Sequence, residues 1–284
     1  MKMLLKKAVQ RLTRNECEIK QGLLESGIPE DRIDDAIIGI KEEITKVPLP
    51  KIALIGFTGV GKSSTLNALF NAGQPTSDVK ACTQKEAPII GDVSKYTGSR
   101  GSIIVYDMPG LGEDLLSDKQ HYQTYLQVLP VVDVAIWTFH TGDRAMTPMQ
   151  DAMTKLSNSL GHEFEHKLMF AINKADAIAP GESYWNQLTN SPSSEQKHNI
   201  EELEEYIIDK IHQVLPGWKG PIVTYSAKTR YRLESLITAM ISVMPNDRRW
   251  LLDSVADVAD PIELMDPRIK QYILEKRSNG EWAK

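Results

Sequence analysis

The stretch Gly56–Ser64 reads "GFTGVGKSS" and fits the spacing G-x-x-x-x-G-K-[ST]. Three glycines, one lysine and a hydroxyl at this spacing are suited to a phosphate chain. Gly56, Gly59 and Gly61 let the backbone curl so that the N–H groups of Thr58, Gly59, Val60, Gly61, Lys62, Ser63 and Ser64 face the phosphates. Lys62 brings a positive charge to the β- and γ-phosphates, and the Ser63 hydroxyl can ligate Mg²⁺.

Downstream, "IIVYDMPGLGED" ends an apolar run in Asp107 and places Gly110 three residues later. A carboxylate at a strand end can hold the same Mg²⁺ through water, and Asp-x-x-Gly after a phosphate loop is where a nucleotide hydrolase senses its terminal phosphate. The next residue is Leu111, which can neither donate nor accept a hydrogen bond through its side chain. What holds an attacking water is therefore the chemical question this sequence poses.

"INKAD" then selects the base. Asp176 can accept two hydrogen bonds from the adjacent N–H groups of guanine, whereas adenine offers an acceptor there and would leave the carboxylate unpaired. A site built to hydrogen-bond its ligand rejects an analogue lacking those groups by roughly 10⁴-fold. Asn173 would tie the base loop to the phosphate loop, and the Lys174 stem would cover the base. In "YSAK", the residues Ser226, Ala227 and Lys228 lie at another strand end, where a backbone N–H can meet the guanine oxygen.

These motifs require elements to hold them. From Lys51 onward, short apolar runs at "KIALIGF", "GSIIVYDM", "VDVAIW", "KLMFAIN" and "PIVTYSA" alternate with helix-length segments. That alternation predicts an α/β fold with a parallel sheet covered on both faces. "APIIGDV" and "GSIIVYDM" are joined by a short connection and predict one antiparallel edge strand. Before Lys51, stripes at Leu5, Val9, Leu12, Ile19 and Leu23 and at Ile33, Ile37, Ile40 and Ile44 predict two helices, broken at Gly27 and Pro29. Expected domains are an N-terminal helical segment over 1–48, a nucleotide-binding domain over 49–245 and a C-terminal helical extension over 246–284. Within the domain, "SYWNQLTNSPSSEQ" reads as a surface loop before a helix over "NIEELEEYIIDKIHQVL".

The chain has 284 residues, 25% of them charged, and a net charge of -5, which argues against broad wrapping of nucleic acid. Its two cysteines, Cys17 and Cys82, form neither a metal-ligand spacing nor a disulfide framework, so the cytoplasm is the expected compartment. No apolar run approaches the roughly 18 residues of a membrane span.

The ordered set "GFTGVGKSS", Thr83 in "ACTQ", "DMPG", "NKAD" and "SAK" resembles the five G-motifs of the translation-factor-related (TRAFAC) GTPases, and among them the Era-like group. "SDVKACTQ" and the surroundings of the fourth strand resemble the bacterial YfjP-like predicted GTPases. The resemblance implies a P-loop G domain with a six-stranded, mostly parallel sheet and one antiparallel edge strand. It further implies binding of GTP and GDP with Mg²⁺, hydrolysis of GTP, and action as a molecular switch. Ser63, Thr83 and Asp107 would attend the metal, with Thr83 preferred to Thr76 as the switch I threonine. Lys62, Thr83 and Gly110 would serve catalysis, Gly110 offering its N–H to the γ-phosphate. With Leu111 in place of a water-orienting glutamine, the expectation is slow turnover, with water held by switch I backbone near Thr83 and Leu111 turned away. Gly59 stands where potassium-activated relatives carry asparagine, so potassium acceleration is not expected. The contrasting readings are a GTP-gated binding scaffold with negligible hydrolysis, and an ATP-using P-loop enzyme.

Other candidates carry less. Arg144, after the fourth strand, could act across a nucleotide-dependent homodimer as an arginine finger, although most surface arginines have no catalytic role. Residues 1–20 form a basic amphipathic pattern suited to a peripheral membrane contact or, by preference, to packing on the G domain. "HEFEH", His162–His166, matches a zinc-protease spacing but runs almost directly into a strand, leaving little room for the helix that motif requires, and is expected as a solvated loop. "GWKG", Gly217–Gly220, matches the G-x-x-G of RNA-binding KH modules but reads as a turn. About forty residues follow Pro245, too few for a KH domain, so ribosomal or other RNA binding by that route is not expected.

Overall fold

The computed structural model describes residues 16–25, 27–46, 48–70, 88–93, 102–112, 114–142, 146–249, 271 and 275–276. Thr76, Thr83, Arg144, the basic stretch before Glu16 and most of the C-terminal extension lie outside the described residues.

One compact unit comprises Lys51–Gly91 and Ile103–Met244. After α1 (Glu16–Glu25) and α2 (Ile33–Lys46), the elements in chain order are β1 (Lys51–Gly56), α3 (Lys62–Phe70), β2 (Ile89–Asp92), β3 (Ser102–Asp107), α4 (Leu115–Val128), β4 (Val134–His140), α5 (Met146–Leu160), α6 (His162–Lys167), β5 (Leu168–Asn173), α7 (Ser194–His212), β6 (Ile222–Thr224) and α8 (Leu233–Val243). The strands form one sheet of order β2-β3-β1-β4-β5-β6. β1 pairs in parallel with β3 and β4, as do β4 with β5 and β5 with β6, while β2 is the antiparallel strand. The sheet is thus P-loop GTPase-like, with helices around it.

Strand periodicity explains the two covered faces. Ala53, Ile55, Ala135, Trp137, Phe139, Phe170 and Ile172 join residues of α4 to α7 in one continuous core. The residues between them, Ile52, Leu54, Ile136, Met169 and Ala171, are also buried. Successive side chains of a strand point to opposite faces, so burial at both phases requires cover on both sides.

Since β1, β3, β4, β5 and β6 run the same way, their carboxyl ends lie on one edge. The chain passes from β1 to β3 on one side and to β4 on the other, creating the switch point where α/β sheets bind ligands.

Two local expectations are corrected. His162–Lys167 is a helix, not a loop: Gly161, at φ 76, ends α5 and lets α6 begin at once. α7 begins at Ser194, inside the stretch expected as a surface loop. Ser193 and Gln196 close a capping box there, satisfying the first N–H groups of the helix. That stretch also buries Trp185, whose ring meets Tyr231 edge-on with centroids 5.0 Å apart.

A second unit gathers Met1–Pro50, Asp92–Ser102 and Pro245–Lys284. Within it, α1 (Glu16–Glu25) and α2 (Ile33–Lys46) are separated by Gly27, at φ 82, and Pro29. Leu23, Ile33 and Ile37 of the expected stripes are buried, and Lys20 pairs with Asp34 at 2.9 Å. Among the described residues no helix is long and apolar enough to cross a membrane.

Candidate functional site

The loop from Gly56 to Gly61 leaves β1 and delivers Lys62 as the first residue of α3. Gly56 and Gly61 are required by backbone as well as space. Gly56 has φ +136, and a Cβ there would stand 2.4 Å from the Thr138 carbonyl oxygen; Gly61 has φ +95, and its Cβ would stand 2.3 Å from Asn173 Nδ2. Lys62 is buried, its ammonium donating to the carbonyls of Gly56 at 3.2 Å and Phe57 at 3.0 Å. A buried ammonium folded over a loop of curled backbone N–H groups makes a site for anions.

Asp107 ends β3 and is buried, and the Ser63 hydroxyl donates to its Oδ2 at 2.8 Å. The loop beyond runs along the phosphate loop as an added ladder. Leu111 N–H donates to the Gly56 carbonyl at 3.2 Å, and Thr58 N–H donates to the Leu111 carbonyl at 2.9 Å. Gly110 lies directly on Thr58, where a Cβ would be 2.2 Å from Oγ1. The Leu111 side chain is only 5% exposed and belongs to the core cluster. It is spent on packing and takes no part in holding water.

At the end of β5, Asn173 joins three loops. Its Nδ2 donates to the Val60 carbonyl at 3.0 Å, while Oδ1 accepts from the N–H of Lys174 at 2.8 Å and of Ala227 at 3.0 Å. Of the backbone N–H groups of Ser226–Lys228, expected from sequence to offer one to the guanine oxygen, that of Ala227 engages Asn173. Lys174 adopts the left-handed conformation, φ 63, turning the chain so that Asp176 follows. Asp176 is buried and its Oδ1 accepts from the Ser226 hydroxyl at 2.5 Å. Lys228 pairs with Glu182 at 2.6 Å and stands 4.0 Å from Asp176 Oδ2. The Glu182 carboxylate, through its hydrogen bond, raises the pKa of the exposed Lys228 ammonium.

Of the site residues expected from sequence, Lys62, Ser63, Asp107, Gly110, Asn173, Asp176, Ser226, Ala227 and Lys228 all fall at the carboxyl edge of the sheet. The structure adds residues that sequence reasoning missed. Gln196 of α7 is fully buried and its Nε2 lies 3.4, 3.3 and 3.1 Å from the carbonyls of Asp176, Ile178 and Gly181. Tyr225 and Tyr125 are also fully buried. The Tyr225 hydroxyl meets Thr65 of α3 at 2.7 Å, and Thr65 in turn donates to the Gly61 carbonyl at 2.8 Å. Tyr125 of α4 donates to the Pro109 carbonyl at 2.8 Å. Burial raises the pKa of both phenols above the ordinary 10.0 and keeps them neutral. The S-x-x-Q of the capping box was the one readable signal for Gln196.

Residues 51–174 match the family described as 50S ribosome-binding GTPase. Two Escherichia coli K12 proteins of uncharacterized function are similar over most of this chain. YkfA is 32% identical over 206 residues and YfjP 29% identical over 203, each alignment covering 70% of this chain.

The domain has the P-loop GTPase fold.

The chain spans 63% of the length of those two relatives. Among solved structures, Era of Aquifex aeolicus bound to GDP and aluminium fluoride shares the fold at a TM-score of 0.51, with 21% identity, 69% of this chain and 57% of that one covered. Toc33 of Arabidopsis thaliana, as a dimerization-deficient mutant, does so at 0.50, with 16% identity and 78% and 96% covered. In α6, His162 is solvated, whereas Glu165 turns inward to accept from Ser157 at 3.0 Å. "GWKG" is a turn held by Trp218, whose Nε1 donates to the Leu168 carbonyl at 3.0 Å.

Proposed function

We propose that the protein binds guanine nucleotide with Mg²⁺, hydrolyses GTP slowly to GDP and phosphate, and serves as a nucleotide-dependent switch in the cytoplasm. The observation that carries this reading is Asn173, which ties the phosphate loop at Val60 to the base loop at Ala227. Phosphate and base determinants are thereby held as one site.

Guanine follows from Asp176. With Oδ1 held by Ser226, the carboxylate is fixed in position to meet two adjacent base N–H groups. Its desolvation makes an unpaired outcome with adenine costly. Lys62 would exchange its two carbonyl partners for phosphate oxygens. Ser63 and Asp107 suit Mg²⁺, which takes hard oxygen ligands: a hydroxyl and a carboxylate oxygen already converge to 2.8 Å. Mg²⁺ supplies neutralisation of phosphate charge, and this chain's residues supply position. Thr83 remains the proposed switch I threonine.

The buried Leu111 supports slow turnover, because no side chain at that position can orient water. It equally favours a second reading, in which GTP binding gates association with a partner and hydrolysis is negligible. Self-association in the GTP-bound state, with Arg144 reaching across as an arginine finger, belongs instead to the hydrolysing reading, where it would accelerate cleavage.

Competition for bound fluorescent GDP tests the first claim. GTP should displace the probe, and ATP should fail at concentrations about 10³-fold higher. Equal competition by ATP would overturn the use of Asp176.

A further inference from the structure

α4 presents two polar side chains, His121 and Tyr125, one turn apart and therefore on the same face. Both reach the loop that leaves β3. The Tyr125 hydroxyl donates to the Pro109 carbonyl at 2.8 Å and accepts from the Gly56 N–H at 3.3 Å. His121 Nδ1 lies 2.8 Å from the Gly110 carbonyl. A carbonyl has no proton to give, so the imidazole donates.

The consequence follows from peptide geometry. In a trans peptide the N–H points opposite to the C=O of the same plane. Drawing the Pro109 carbonyl toward α4 turns the Gly110 N–H away from α4. Drawing the Gly110 carbonyl the same way turns away the Leu111 N–H, which is found on the Gly56 carbonyl at 3.2 Å. Gly110 itself stands against Thr58 of the phosphate loop, so close that a Cβ would be 2.7 Å from the Thr58 Cα.

We propose that Tyr125 and His121 are positioning residues that aim the Gly110 N–H at a terminal phosphate, so that α4 carries the discrimination between nucleoside triphosphate and diphosphate. Both side chains act through backbone, Tyr125 on Pro109 and His121 on Gly110. The assignment rests on the guanine-nucleotide reading above. It also gives α4 a mechanical role: displacement of the helix would release both carbonyls together and turn the sensor peptide.

The test is equilibrium binding, with Mg²⁺, of fluorescent GDP and of a fluorescent non-hydrolysable GTP analogue. Tyr125→Phe keeps the ring in the core and removes only the hydroxyl. The ratio of triphosphate to diphosphate affinity should fall about 5- to 10-fold, the effect of losing one buried hydrogen bond. His121→Ala should lower the ratio in the same direction. His121→Asn, whose amide places a donor near the position of Nδ1, should restore it. A ratio unchanged in both Tyr125→Phe and His121→Ala, or equal losses for the two nucleotides, would overturn the proposal. If Tyr125→Phe does not fold, the His121 pair decides it alone. Wild-type protein that bound neither nucleotide would instead overturn the guanine-nucleotide reading and the assignment with it.

Discussion

The base side and the phosphate side of the site are built on different terms. At the base side, Asn173, Asp176, Ser226 and Gln196 are buried and bonded to one another or to backbone that no ligand must displace. At the phosphate side, Lys62 rests on the Gly56 and Phe57 carbonyls and Ser63 on Asp107. Those are bonds that phosphate and metal would replace. A pre-formed base pocket supplies specificity without reorganisation, whereas a phosphate loop satisfied by exchangeable partners can respond to what arrives.

Substitutions on each side should have different consequences. Asp176→Ala should weaken GDP binding by roughly 10²- to 10⁴-fold, the loss of two hydrogen bonds to a charged group. Calorimetry should show little change in the melting temperature of the unliganded protein. Next, Gly61→Ala drives a Cβ into Asn173 at a φ that L side chains avoid. It should cost about 1 to 3 kcal/mol in urea unfolding and abolish nucleotide binding, since it breaks the tie between the two sides.

Gln196→Ala separates the two sides. It strips donors from the carbonyls of Asp176, Ile178 and Gly181, and should cost about 1 to 3 kcal/mol of stability. Guanine-over-adenine discrimination should fall, while single-turnover hydrolysis of bound GTP stays within about twofold. A hydrolysis rate that fell with discrimination would mean that the two sides are not separable.

The smallest effect is read at high pH. Tyr125 and Tyr225 are two of nine tyrosines, and burial raises both pKa values above 10.0. A group raised on folding contributes stability in full below its unfolded pKa and loses it as pH rises beyond that value. Spectrophotometric titration should therefore leave these two phenols un-ionised above pH 10, while stability declines until unfolding releases both together.

The chemistry-bearing motifs were legible because each is a contiguous run at the end of a strand, and parallel strands bring their ends to one edge. What supports them was not legible, for a physical reason. Tyr225 meets Thr65 across 160 residues of sequence and Tyr125 meets Gly56 across 69. In a linear pattern each is an aromatic residue on an apolar face, indistinguishable from core. The helix at His162–Lys167 was missed because a left-handed glycine allows two helices to abut with no loop between them. Leu111 is the reverse case. Its chemistry excluded it from holding water, and its burial shows what it does instead.

The proposed function requires that this site cleave GTP and select it over ATP. The direct measurement is single-turnover hydrolysis of GTP and ATP with Mg²⁺ over a wide range of protein concentration, using Lys62→Ala as control. Slow conversion of GTP to GDP and phosphate is expected, with no comparable cleavage of ATP and loss of activity in the control. Equal cleavage of ATP, or a Lys62→Ala protein as active as the wild type, would contradict it.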